Sequence, residues 1–230
     1  MKTVILCGGK SIRMGVDSPP KALIKIGKKP ILWHIMRYYS SYGFRDFIIC
    51  LGYKGNYIRK YFKGSKEFNI NFVDTGLETN TGGRIKKIER YINEENFFAT
   101  YGDGLSDLDL KRLYRFHLEH KKVATITAVK PRSQFGIMSI DPKTELVEQF
   151  EEKPILDYWV NGGFFVFSRD VFKYLREDDI LEKETFSRLL AKNSICAFKH
   201  RGFWMCMDTY KDNQKLNEIW NKGETPWKKW

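Results

Sequence analysis

The stretch Thr3-Val4-Ile5-Leu6-Cys7-Gly8-Gly9-Lys10-Ser11-Ile12-Arg13-Met14-Gly15 decides how the chain is read. A short apolar run rich in β-branched residues that ends in a glycine pair reads as a buried strand followed by a tight loop. Glycines in such a loop let backbone N–H groups approach phosphate oxygens, and arginine offers a planar fork for phosphate charge. The spacing is that of neither the Walker loop nor the G-x-G-x-x-G dinucleotide fingerprint. The segment is therefore a candidate phosphate loop, with an ordinary turn as the plain alternative. Lys21, after Pro19-Pro20, is the next cation along the chain.

Working outward, similar apolar runs recur at Phe47 to Leu51, Asn71 to Val73, Phe97 to Thr100, Ala124 to Val129 and Gly163 to Phe167. Between several of them the apolar spacing turns helical: Ile31, Ile35, Met36 and Tyr39 form one face, Ile85, Ile88, Tyr91 and Ile92 a second, and Leu110, Leu113, Phe116 and His117 a third. Alternating strands and helices predict an α/β fold with a mainly parallel sheet covered on both faces, and ligands beyond the carboxyl ends of its strands.

The chain has 230 residues, 42% of them hydrophobic and 15% aromatic, enough for one sizeable core. No linker, repeat or low-complexity tract suggests a cut, so residues 1–230 are expected to form one domain. No apolar stretch reaches the roughly 18 residues of a membrane helix. Met1 runs directly into the first strand, which leaves no room for a signal peptide and points to the cytoplasm. The four cysteines, Cys7, Cys50, Cys196 and Cys206, lie far apart and read as free thiols. The formal charge of +12 is spread along the chain instead of gathered in one arm, which fits a site for several phosphates better than a nucleic-acid surface.

Five further segments are candidates to carry chemistry. In Thr100-Tyr101-Gly102-Asp103-Gly104 a strand ends in a carboxylate between glycines, the setting of a Mg²⁺ ligand, since that ion commonly takes one or two carboxylates and completes its shell with phosphates and water. Capping of the following helix is the competing role, although Ser106 or Asp107 is better placed for it. Asp208, in Met205-Cys206-Met207-Asp208-Thr209, follows an apolar run and is the natural second carboxylate. Thr81-Gly82-Gly83-Arg84 opens a helix where glycines would let a flat base or ribose near the backbone. Glu152-Lys153-Pro154 offers a hydroxyl acceptor and a phosphate donor, and Asn161-Gly162-Gly163 a sugar contact or a turn. His34, His117, His120 and His200 show no metal spacing, and no Ser-His-Asp or Cys-His set is evident.

Taken together these segments resemble the sugar-phosphate nucleotidyltransferases, and among them the cytidylyltransferases that act on glucose 1-phosphate. The resemblance covers nearly the whole chain, through Gly27 to Met36, Phe47 to Gly55, Val73-Asp74-Thr75-Gly76, Thr81 to Arg84, Tyr101 to Gly104, Glu152-Lys153-Pro154, Asn161 to Val166, Gly202-Phe203-Trp204, Met207-Asp208-Thr209 and Pro226 to Trp230. It implies a Rossmann-like three-layer nucleotidyltransferase fold, similar to the glycosyltransferase-A fold, with a mostly parallel mixed sheet. The amino-terminal half would bind the nucleotide and the carboxyl-terminal half the sugar phosphate. The implied activity is CMP transfer from CTP to glucose 1-phosphate with release of pyrophosphate. A different base, a different phosphorylated sugar or polyol, and a non-catalytic sensor of nucleotide or sugar phosphate remain as alternatives.

Carried over position by position, the resemblance makes Arg13, Lys21, Asp103, Lys153 and Asp208 catalytic, with Mg²⁺ on Asp103 and Asp208. Leu6, Gly8, Gly9, Lys10, Ser11, Arg13, Lys21, Thr81, Gly82, Gly83, Gly102 and Asp103 would hold the nucleotide. Arg84, Tyr101, Glu152, Lys153, Asn161, Gly162 and Gly163 would hold the sugar phosphate. A homo-oligomer is implied, with no nucleic-acid or membrane partner. Two features depart from the pattern: Ser11 and Ile12 replace the second glycine and the threonine of the usual first loop, and the connection between Tyr61-Phe62 and Val73 is shorter than in those cytidylyltransferases.

Overall fold

The computed structural model describes residues 1–9 and 19–230. In chain order its elements are β1 (Lys2–Cys7), β2 (Lys25–Ile26), β3 (Lys29–Pro30), α1 (Ile31–Ser41), β4 (Asp46–Leu51), α2 (Gly55–Phe62), β5 (Asn69–Asp74), α3 (Thr81–Lys87), β6 (Asn96–Tyr101) and β7 (Gly104–Ser106). There follow α4 (Leu110–His120), β8 (Ala124–Val129), β9 (Ile137–Ile140), β10 (Val147–Glu151), β11 (Val160–Ser168), α5 (Phe186–Ala191), β12 (Ile195–His200), β13 (Trp204–Cys206) and α6 (Tyr210–Asn221).

Seven strands make the central sheet in the order β12-β8-β11-β6-β1-β4-β5. All pairings are parallel except those of β11, which runs antiparallel to both β6 and β8. This is the mostly parallel mixed sheet that the sequence predicts. Because side chains alternate across a strand, neighbouring residues enter different cores. Ile5, Phe47, Ile49, Phe98 and Phe164 pack with Leu32, Ile35, Ile58, Leu113 and Leu216 of α1, α2, α4 and α6. Val4, Leu6, Ile48, Phe97 and Phe165 pack on the other face with Ile85 of α3 and with Phe186 and Leu189 of α5. The three layers follow directly from that two-residue period.

One local expectation needs correction, and one segment stands apart from the sheet. Neither Ser106 nor Asp107 caps α4; Asp109 does, accepting from the N–H groups of Lys111 and Arg112. The hydroxyl of Ser106 is instead bonded to the Phe203 carbonyl, 2.8 Å away. The segment from Phe135 onward forms the antiparallel ribbon β9–β10, but its strands are exposed on all sides and contribute nothing to the lining of the cleft. Among the described residues no helix is long and apolar enough to cross a membrane.

Candidate functional site

Strand order reverses around β1: the chain places β4 and β5 on one side of it and then β6 on the other. Parallel neighbours whose onward connections diverge leave a crevice beyond their carboxyl ends. A cleft of about 670 Å³ lies there, lined by Leu6 to Gly9 after β1, Pro20 to Ala22, Leu77 to Thr81, Arg84, Tyr101 to Asp103 after β6, Ile180, Glu182 and Asp208. Gly102 closes the seam between β1 and β6, its N–H donating to the Leu6 carbonyl at 3.1 Å. A Cβ on Gly102 would stand 2.7 Å from Cys7 Sγ, so the close approach requires glycine.

On the cleft floor, Lys21 Nζ donates to Asp103 Oδ2 at 2.7 Å and to Asp208 Oδ1 at 2.5 Å. Secondary structure delivers all three groups. Lys21 opens a short 3-10 turn to Leu23 that follows the proline pair. Asp103 follows β6, and β7 pairs with β13 in the register Cys206↔Gly104. One step further the Met207 N–H donates to the Asp103 carbonyl at 2.9 Å, which brings Asp208 beside Asp103. Asp208 also opens α6, where its N–H and the Thr209–Asp212 capping box share the Asp212 carboxylate.

Burial opposes charge at this centre. It pulls the Lys21 ammonium down, but Asp103 and Asp208 outweigh it and hold the pKa above its ordinary value. The Asp103 carboxyl is pushed up by burial, with Lys21 pulling the other way and Asp208 adding to the rise. A site whose anions are this poorly compensated is matched to additional positive charge. Among the described residues no third carboxylate, histidine or cysteine joins to make a protein cage for a metal ion. Two hard oxygen donors beside an open cleft fit Mg²⁺, which binds few protein ligands and completes its shell with phosphate and water.

Arg84 serves the cleft in a way that its sequence context does not announce. Its side chain is buried, and Nη1 donates to Thr75 Oγ1 at 2.6 Å and to the carbonyls of Gly76 at 2.8 Å and Leu51 at 3.1 Å. Nη2 donates to the carbonyls of Gly8 at 3.0 Å and Leu77 at 3.2 Å. One guanidinium thus ties together the carboxyl ends of β1, β4 and β5. A Cβ at Gly8 would stand 2.0 Å from Nη1, and one at Gly52 2.7 Å from it. The structure therefore spends on loop carbonyls the donors that the resemblance assigned to the sugar phosphate.

Gly82 and Gly83 also take a role different from the one expected. A Cβ on Gly83 would stand 2.0 Å from the Glu177 carbonyl oxygen, and one on Gly82 2.8 Å from Asp179 Cβ. These glycines let α3 press against residues 177–180, while their neighbour Thr81 lines the cleft. The Thr81 hydroxyl donates to Glu182 Oε2 at 2.9 Å and accepts from the Leu181 N–H at 2.9 Å. Tyr101 donates its phenol to the other Glu182 oxygen. Glu182 is thus a cleft residue that sequence reasoning missed. It sits in an acid-rich run that looks like solvated surface, and its partners lie 81 and 101 residues away.

The remaining predicted residues are not brought to the cleft lining. Lys153 follows β10 in a left-handed conformation (φ 49°), its ammonium 2.5 Å from Glu152 Oε1 and its carbonyl held by Arg132. Glu152 and Lys153 are both exposed. Asn161 Oδ1 accepts from the Gly163 N–H at 2.9 Å, at the register irregularity of β11 between Asn161 and Phe165. Gly163 (φ 76°) packs under Tyr101, whose Cδ2 a Cβ would approach to 2.5 Å, and the Gly162 carbonyl accepts from Trp204 Nε1 at 2.7 Å. Lys10, Ser11 and Arg13 lie outside the described residues.

Comparison with known proteins agrees with this fold. The family model described as nucleotidyl transferase matches residues 2–217. The glucose-1-phosphate cytidylyltransferase of Salmonella typhimurium is 41% identical over 258 aligned residues that cover 100% of both chains. That length exceeds the 230 residues of this chain, so the relative carries residues that this chain lacks. The mannose-1-phosphate guanyltransferase of Saccharomyces cerevisiae is 28% identical over 92% of this chain and 62% of its own. A solved UDP-glucose pyrophosphorylase complexed with UDP-glucose superimposes with a TM-score of 0.75 at 15% identity, covering 96% of this chain and 98% of its own, and shows the shared fold.

Proposed function

Since the chain belongs to the nucleotidyl transferase family, we propose that it transfers CMP from CTP to glucose 1-phosphate, giving CDP-glucose and pyrophosphate. The observation that carries the reaction class is Lys21 held between Asp103 and Asp208 on the floor of a cleft walled by glycine loops. The choice of CTP and glucose 1-phosphate rests on the full-length match to the cytidylyltransferase.

In this reading no side chain forms a covalent bond to substrate. Gly8 and Gly9, with Lys10, Ser11 and Arg13 as the resemblance implies, take the triphosphate, and Lys21 meets the α-phosphate and the sugar phosphate. A sugar-phosphate oxygen attacks the α-phosphorus in line with the departing pyrophosphate. Mg²⁺ held by Asp103 and Asp208 would supply positive charge for the phosphate oxygens. Positioning and charge neutralisation account for most of the catalysis in such transfers. Thr81 and Tyr101, braced by Glu182, form the wall opposite, and Arg84 keeps the strand-end loops at the spacing that the substrates need. The resemblance assigns Glu152 and Lys153 to the sugar phosphate; in this structure neither lines the cleft. The exposed apolar side chains of the β9–β10 ribbon, Phe135, Ile137, Met138, Ile140, Val147 and Phe150, support assembly of the chain as a homo-oligomer.

The test is pyrophosphate release with Mg²⁺ across CTP, UTP, dTTP, ATP and GTP, each against several sugar 1-phosphates. Release that needs CTP and glucose 1-phosphate together supports the reading. Another productive pair corrects the substrate, and no release from any pair overturns it.

A further inference from the structure

A second cluster of positive charge stands at the carboxyl ends of β8 and β12, on the flank of the sheet away from β1. Lys130 Nζ lies 5.4 Å, Lys199 Nζ 5.6 Å and the Arg201 guanidinium carbon 5.6 Å from the centroid of the Trp159 ring. The strand register explains the gathering. Val129 pairs with Val160 on one side and with His200 on the other. One residue further out, Trp159, Lys130 and Arg201 continue a single cross-strand row, and residues in such a row share a face. Lys199, two residues before Arg201, shares that face by the pleat. It is the uncovered face of β12, where Ala197, Lys199 and Arg201 are exposed, whereas His200 points the opposite way to Ser106 and Asp107.

The charge in this corner is unbalanced. Asp157 pairs with Lys130 and its carboxylate also acts on Arg201 at longer range, so one carboxylate stands against three cations; among the described residues neither Lys199 nor Arg201 is in ion-pair contact with a carboxylate. Each cation gains from the indole face only the weak attraction typical of exposed sites, and the three repel one another. Such an arrangement suits an anion that bridges a guanidinium fork and ammonium groups, as a phosphate does.

We infer that Trp159, Lys130, Lys199 and Arg201 form a binding site for a phosphate-bearing anion, separate from the cleft at Lys21. None of the four lines that cleft. Two strand spacings, about 10 Å, separate the end of β6 from the end of β8, so the sites are neighbours at the same edge of the sheet. The inference does not depend on the identity of the substrates.

The experiment is a calorimetric titration of the full chain with inorganic pyrophosphate, without Mg²⁺, at low and at physiological salt. Lys21→Gln is expected to leave one saturable site, and the Lys199→Gln, Arg201→Gln pair is expected to weaken that site at least tenfold. Because both side chains are exposed, the variant should unfold at the wild-type temperature; should it not, each single substitution is expected to weaken binding severalfold on a wild-type melting curve. Undiminished binding in the double and single variants overturns the site. So does loss of all binding in Lys21→Gln, or an affinity for pyrophosphate no greater than for sulfate at equal ionic strength.

Discussion

Lys21 Nζ stands 2.7 Å from Asp103 Oδ2, although 82 residues separate the two in the chain. Each needs the other: burial raises the Asp103 carboxyl pKa, and the ammonium is the nearest charge that opposes the rise.

Asp103→Asn is expected to abolish pyrophosphate release while leaving the apo protein at least as stable as wild type at neutral pH. The sign follows from the raised pKa. The folded state holds the Asp103 proton more tightly than the unfolded chain, so this group favours folding at acid pH and loses that contribution as pH rises through its folded value. The amide removes that loss. Thermal unfolding with and without Mg²⁺ checks the claim, with Mg²⁺ protecting only the wild-type protein; a strongly lowered melting temperature in the apo variant would count against it.

Arg84→Lys is expected to cost on the order of 3 kcal/mol, because an ammonium cannot serve the four carbonyls and one hydroxyl that the guanidinium now holds. In a chain of this size that corresponds to a fall in Tm of about 6–12 °C, measured by calorimetry.

Glycine substitutions separate packing from ligand approach. At Gly83 a Cβ would meet the Glu177 carbonyl oxygen at 2.0 Å, so Gly83→Ala should lower Tm. At Gly9 a Cβ meets nothing within 4 Å, so Gly9→Ala should keep Tm and raise KM for the triphosphate. Equal melting temperatures for the two variants would refute the assignment.

Glu182→Ala frees both Tyr101 and Thr81 from one carboxylate. The expected outcome is a KM for one substrate raised about tenfold with a smaller change in kcat, partly restored in Glu182→Gln, which keeps an acceptor. Steady-state kinetics on both substrates reads it.

His117 is buried between Thr125 Oγ1 and Asn96 Oδ1, and burial pulls its pKa down to about 4. A depressed folded value means that stability is complete above pH 6.5 and is lost as pH falls toward 4, by about 3 kcal/mol at 1.36 kcal/mol per pKa unit. Urea unfolding from pH 7 to pH 4 should show this loss, and His117→Gln should flatten it.

The strands and helices were legible because their signals are local. The run from Thr3 to Cys7 lies inside β1, the Ile31 to Tyr39 pattern inside α1, and Phe97 to Thr100 inside β6. Asp103 and Asp208 were legible as candidate carboxylates for the same reason, each following an apolar run, whereas Lys21 entered only through the resemblance. The cap of α4 was misplaced because Ser106, Asp107 and Asp109 are all good caps, and only the Ser106 bond to Phe203 removes the first from competition.

By itself, the sequence determined the layered α/β fold and marked Asp103, Asp208, Gly8 and Gly9, which line the cleft, as candidate site residues, since side-chain period and glycine placement act within a few residues. Only the tertiary structure decided that Arg84 clamps three strand ends, that Gly82 and Gly83 serve packing, that Glu182 braces the cleft wall and that three cations meet on Trp159. Those contacts form between segments that strand register brings together across long loops, and a hydrogen bond donor carries no mark in the sequence of which distant carbonyl it will meet.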